Sequence, residues 1–248
     1  MAHWEVYPTQ LQGELILMYV DVDWHDSNET KELGTMNWFR VGFEPGPQSG
    51  MPQEADREFL ETFGDWLADE FDGRGHVVAR LTGPGRREFF VYSGDALATG
   101  IVDRARSKFP DIHLEGRSKP DPDWQLYREF LFPDAVQLVR MRAMQRTRTM
   151  ESDGDMLSAP RPVDHMAGFL SVESRAEFKK FVFDLGYELV DERDSADDTL
   201  DRPFILRVKR THALDPVGVE HNIVRLFLKV RELGGEYGGW IAQPVVAH

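Results

Sequence analysis

Cysteine is absent from all 248 residues. Its absence removes disulfides, thiolate nucleophiles, thiolate metal sites and iron–sulfur clusters together, and it fits a reducing compartment such as the cytoplasm. Long apolar runs are missing as well. No stretch approaches the roughly 20 apolar residues that span a bilayer, and the opening "MAHWEVYPTQ" has neither a basic region nor an uninterrupted apolar one, so neither export by that route nor a membrane span is expected. Positive charge is scarce: 29 Lys and Arg stand against 43 Asp and Glu, a net charge of −14. Such a surface repels phosphate backbones, and basic proteins are its better electrostatic partners. There is no P-loop, no G-x-G-x-x-G, no H-x-x-x-H, no G-x-S-x-G and no RNP-like aromatic string, so the motifs point to no nucleotide, cofactor, serine nucleophile or direct RNA contact.

What is present suffices for a core. Hydrophobic residues make up 41% of a chain long enough for two domains of ordinary size. In residues 1–132, "ELILMYVDVDW" (14–24) and "TMNWFRVGFE" (35–44) are neighbouring strand-like runs. Phe59, Phe63, Trp66, Leu67 and Phe71 recur at helical spacing. "HVVARLTGPGRREFFVYSG" reads as a hairpin about Gly83, Pro84 and Gly85. Asp95 caps a second expected helix running to Phe109, and "IHLEGRS" is a last strand. The order β-β-α-β-β-α-β predicts an α+β layer with helices on one face of a mostly antiparallel sheet.

The domain boundary is placed near Pro133. After it comes "AVQLVRMRAMQRTRTM" (135–150), a helix-forming run with Arg140, Arg142, Arg146 and Arg148 and no acid. Such a helix can touch RNA phosphates or pair with the protein's own acids. Beyond it, "DHMAGFLS" reads as a strand, and Ser174 caps a helix that Gly186 ends. "YELVDERD" and "PFILRVKRTH" are two strands about an acidic loop. A helix burying Ile223, Leu226, Phe227, Val230 and Leu233 leads to "YGGWIAQPVV". Residues 133–248 thus predict βαββαβ, the ferredoxin-like antiparallel sheet, behind an arginine-rich helix.

"ELGGEYGGW" (232–240) sets four glycines about Tyr237 and Trp240. Gly234 and Gly235 stand where a helix ends in a left-handed residue. Gly238 and Gly239 permit a bulge at a strand start, with the rings leaning on the sheet or forming an exposed anchor for a partner. A helix followed by Gly-Gly-x-Tyr-x-Gly-Trp resembles the C-terminal signature of the regulator of ribonuclease E activity B family, in which an aspartate is usual where Gly238 stands. Arg161, Pro162, Val163, His165 and Phe169 in "RPVDHMAGF" resemble that family's first strand, and the arginine helix and "DGD" resemble its N-terminal part. The resemblance covers roughly residues 134–248. Residues 1–132, with Trp4, Tyr7, "FFVYSG" and "DWQLYREFLFPD", resemble the uncharacterised domain often fused ahead of it.

The resemblance implies a non-enzymatic regulator that binds the non-catalytic scaffold of ribonuclease E, without cofactor or metal. The candidate partner-binding residues are Asp194, Asp197 and Asp198 in the acidic run "ELVDERDSADDTLD", and Tyr237 and Trp240 at the final strand. The competing reading is a metal-dependent hydrolase: strand alternation would put Asp21, Asp23 and His25 of "DVDWHD" on one face as oxygen and imidazole ligands. His165 beside Asp164 is either a satisfied structural histidine or an acid–base pair.

Overall fold

The structure, a computed structural model, describes residues 3–26, 32–47, 49–195 and 201–246. The chain divides into two compact units, Met1–Pro133 and Asp134–His248.

The first unit is a six-stranded sheet in the order β1-β2-β4-β5-β3-β6, antiparallel at every pairing. Its strands are β1 Trp4–Leu11, β2 Glu14–Asp21, β3 Thr35–Gly42, β4 Gly75–Gly83, β5 Arg86–Ser93 and β6 Leu114–Pro120. Strand β1 was not expected. It carries Pro8, which suits an edge strand, and joins β2 through a two-residue turn with Gln12 and Gly13 both at positive φ. The β4–β5 hairpin turns at Pro84 and Gly85, the glycine at φ +68, as a Pro-Gly turn requires. Strand β3 does not neighbour β2 as sequence proximity suggested; it sits between β5 and β6.

Helices α1 (Glu54–Glu70) and α2 (Ala98–Lys108) cover one face, burying Leu60, Phe63, Leu67, Ile101 and Ala105 against Phe39, Phe89 and Val91. Helix α2 begins without the expected Asp95 cap. Leu97 N–H donates instead to Asn37 Oδ1 at 2.9 Å and Ala98 N–H to Ser118 Oγ at 3.1 Å, so strands β3 and β6 satisfy the helix's open donors. Alternation turns Tyr92 of β5 to the other face, where Trp124 stacks on it at 3.9 Å.

The second unit starts with α3 (Ala135–Ser152), whose Asp134 side chain accepts from Gln137 N. Then follow β7 Arg161–Phe169, α4 Val172–Asp184, β8 Glu188–Asp194 and β9 Phe204–His212. Helix α5 (Pro216–Gly218) runs through a π segment, Val219–Val224, into α6 (Arg225–Glu232), and β10 Glu236–Ala242 ends the sheet. The sheet order is β10-β7-β9-β8, all antiparallel. This βαββαβ arrangement is the ferredoxin-like one the sequence predicts, with α4 and α6 over a core of Phe169, Phe178, Val182, Leu206 and Val230. Helix α4 is capped by Ser171, which accepts from Ser174 N, so the cap lies three residues ahead of the expected Ser174.

A buried ion pair closes the unit's ends. Arg161 on β7 pairs with Asp155, both side chains almost wholly enclosed, and Asp155 also accepts from Val245 N at 3.3 Å. Removing one buried partner strands the other charge. Arg161→Ala is therefore expected to lower the unfolding free energy in urea titrations by about 3–5 kcal/mol, whereas Arg161→Met combined with Asp155→Leu recovers most of that loss. Gly218 adds a second sensitive point: a Cβ there would lie 2.1 Å from the Ala213 carbonyl oxygen, so Gly218→Ala should lower the melting temperature although alanine favours helices.

Candidate partner-binding site

Asp194 ends β8, an edge strand exposed along nearly its whole length. Its carboxylate is 64% exposed, yet it accepts from Arg175 Nη1 of α4 at 2.6 Å. The neighbouring acids are tied in the same way. Glu192 meets Arg175 at 3.3 Å and also Lys179, Asp191 meets Arg193 at 3.7 Å, and Glu188 meets Lys209 at 3.4 Å. The acidic run is therefore less bare than its composition implies. The pairs with both members exposed are worth at most about 1 kcal/mol each, so a basic partner can exchange into them at small cost, whereas Arg175, which holds Asp194 and Glu192, is itself buried. Asp197 and Asp198 lie outside the described residues.

Tyr237 and Trp240 sit on β10, the opposite edge. Residues three apart on a regular strand face opposite sides of the sheet. Here the register shifts between Tyr237 and Gly239, so Tyr237 opposes Ala167 and Trp240 opposes His165. The bulge, with Gly239 at φ +99, turns both rings to the helix side. Trp240 is only 7% exposed, which corrects the expectation of an exposed anchor. Arg146 of α3 lies 4.3 Å over its ring and donates to its carbonyl at 2.8 Å. Gly234, at φ +68, ends α6. Gly235 is needed for space, because a Cβ would come within 2.7 Å of Phe169. Asp194 and Tyr237 occupy the same end of the sheet, separated by three strand spacings, or roughly 14 Å.

A buried chain of polar groups runs from Tyr237 toward the other end of the sheet, where His212 opposes Arg161. His212 Nδ1 is 2.7 Å from the Ala213 carbonyl, His212 Nε2 is 3.1 Å from His165 Nε2, and His165 Nδ1 is 2.7 Å from Tyr237 Oη. A carbonyl only accepts, so His212 carries its proton on Nδ1. Its bare Nε2 must then accept from His165 Nε2–H, and His165 Nδ1 accepts from the Tyr237 hydroxyl. Burial, then the neighbouring His212, pushes His165 down to about 3. Burial also lowers His212 and raises Tyr237. Nearby, Tyr187, pushed up to about 12 by burial, donates to Asn222 Oδ1 at 3.0 Å, and Asn222 Nδ2 donates to the Gly218 carbonyl at 2.9 Å. His165 is thus a satisfied structural histidine. Its partner His212 escaped the sequence reading, although it continues the inward alternation of Leu206 and Val208 along β9.

The Asp21, Asp23 and His25 arrangement is corrected. The strand stops at Asp21 and a 3₁₀ turn covers Val22–Asp26, so the assumed alternation does not hold. Asp21 is buried and accepts from His3 N, Asp23 N and Trp24 Nε1, while His25 stacks on Phe132 at 4.0 Å. Among the described residues, no group of three His, Asp or Glu side chains is placed to hold a metal ion. No helix among them is long and apolar enough to cross a membrane.

The geometry defines an α+β protein whose second unit is a ferredoxin-like sheet with one acidic edge and one edge met by an arginine helix through Arg146. Residues 2–132, more than half of the chain, match the family of unknown function DUF695, and the chain belongs to that family. Residues 143–241 match the family described as regulator of ribonuclease activity B. These matches bear out both resemblances seen in the sequence. No curated protein matches the chain. A solved structure described as an unknown protein from Galdieria sulphuraria is similar at 11% identity and a TM-score of 0.24, covering 87% of this chain and all of the other; a likeness that low carries no argument.

The histidine pair makes stability depend on pH in a defined direction. Both groups titrate below their ordinary value when folded, so the unfolded chain takes up protons first as the pH drops below about 6.5. Their contribution is complete above that value and is lost progressively toward pH 3. Denaturant titrations at pH 7 and pH 5 check this: His165→Gln is expected to remove about 2 kcal/mol of the acid-induced loss.

Proposed function

We propose that this protein acts by binding rather than by chemistry and regulates a ribonuclease through protein–protein contact, modulating RNA turnover in the cytoplasm. The observation that carries the reading is the match of residues 143–241 to regulator of ribonuclease activity B, laid over a complete βαββαβ sheet. The resemblance implies the scaffold portion of ribonuclease E as the partner. Electrostatics supports a basic segment of that partner: a chain of net charge −14 steers cationic surfaces toward itself over a Debye length.

The contact is proposed at the β8–β9 end, through Asp194, Asp197 and Asp198, with Tyr237 as the aromatic element on the far edge. Trp240 contributes indirectly, by holding Arg146 and the edge of β10. Direct RNA binding on the open sheet face has no support. The described residues there include Asp164, Met166, Arg207, Lys209 and Ile241, and every aromatic ring of these four strands is turned to the helix side by the alternation and the bulge. Base-stacking rings are what such a face would need.

The test is binding of purified ribonuclease E to the intact chain over a range of salt. Combined Asp194→Asn, Asp197→Asn and Asp198→Asn substitutions are expected to slow association on the order of tenfold at low salt and to flatten its salt dependence. An unchanged salt slope would move the contact away from this loop, and no binding at low salt would defeat the ribonuclease reading.

A further inference from the structure

The arginine helix and the glycine–aromatic strand, 94 residues apart at Arg146 and Trp240, meet around one cleft. A hollow of about 260 Å³ opens between α3 and β10, edged by Arg142, Arg146, Tyr237, Gly238, Gly239 and Trp240. Val139, Ala143 and Ile223 complete an apolar floor, and among the described residues no acidic side chain lines it. Of the two arginines, Arg146 is committed to Trp240. Arg142, one helical turn away on the same face, is exposed and has no ion pair or hydrogen-bonded side-chain partner among the described residues. Arg140, by contrast, is held bidentately by Glu220 at 2.8 Å. On the strand side Gly239 leaves bare backbone between Tyr237 and Trp240: a Cβ there would meet nothing within 4 Å, which leaves room for a ligand to approach the main chain.

We propose that this cleft binds a carboxylate carried on an apolar peptide segment, an acidic amphipathic stretch of a partner protein. Arg142 supplies a charge-assisted pair to the carboxylate, and flanking aliphatic side chains fill the floor beside Val139 and Ile223. The charge balance favours this over a nucleic acid. Phosphate backbones are held by many cations at once, whereas this cleft offers one uncommitted guanidinium over an apolar floor. The site lies on the edge opposite β8; it shares Tyr237 and Trp240 with the contact proposed above but none of its aspartates, so loss of Arg142-dependent peptide binding and loss of aspartate-dependent ribonuclease binding are distinguishable failures.

The experiment uses the full chain and a short fluorescent peptide in which glutamate alternates with leucine, followed by anisotropy. The peptide is expected to bind, its glutamine-for-glutamate counterpart to bind much more weakly, and Arg142→Glu to weaken the glutamate peptide by on the order of tenfold or more. Arg148→Glu makes the same charge change on the same helix outside the cleft and should leave binding nearly unchanged. Equal losses in the two variants would reduce the effect to general electrostatics and overturn the site. So would peptide binding indifferent to Arg142→Glu, or failure of the peptide alongside Arg142-dependent binding of a single-stranded oligonucleotide. Concentration-dependent self-association abolished by Arg142→Glu would assign the cleft to another copy's acidic edge and overturn it as well.

Discussion

Two neutral histidines hydrogen-bonded to each other at 3.1 Å govern the second unit. The Ala213 carbonyl at one end can only accept, so every proton in the chain has one place: Nδ1 of His212, Nε2 of His165 and the hydroxyl of Tyr237. That single direction links β9, β7 and β10, three of the four strands. It also reaches the turn into α5, since the same carbonyl lies so close to Gly218 that no side chain fits there. A buried polar network is tolerable only when all of its members are satisfied, and this one is.

The bulge in β10 follows from the same requirement. Tyr237 must face the core to reach His165, and Trp240 must face it to sit under Arg146. A regular strand cannot turn both inward. The extra residue at Gly238–Gly239 resolves the parity, which accounts for glycine and large aromatics sharing one short segment. The cost in strand regularity falls on an edge strand, where Arg146 of α3 takes up the Trp240 carbonyl.

Charge is distributed with similar economy. An acidic chain keeps its described β8 acids paired, with the buried Arg175 and with the more exposed Lys179, Arg193 and Lys209, while its arginine helix is partly consumed by Glu220 and Trp240. Pairs at the surface are weak and exchangeable. The two edges of one sheet therefore present opposite signs, and neither shows the full charge its composition suggests.

The sequence by itself determined most local elements of both units, β1 excepted, and the order of the second. The 3.6-residue spacing of Phe59, Phe63 and Leu67, the Gly83-Pro84-Gly85 turn, the stop at Gly186 and the βαββαβ succession are short-range properties, and each reappears in the structure. The family resemblances rested on contiguous motifs and were legible for the same reason. What depends on distant residues was not. The place of β3 beside β5 and β6, the capping of α2 by Asn37 and Ser118, and the bond from His3 to Asp21 all come from pairing across the sheet. His212 could be read as inward from the parity of β9, but its bond to His165 spans 47 residues. For Trp240 the glycine pair left two readings open, a ring leaning on the sheet or an exposed anchor, and the choice was made by the strand that pairs with it, since a bulge reverses the facing of everything beyond it.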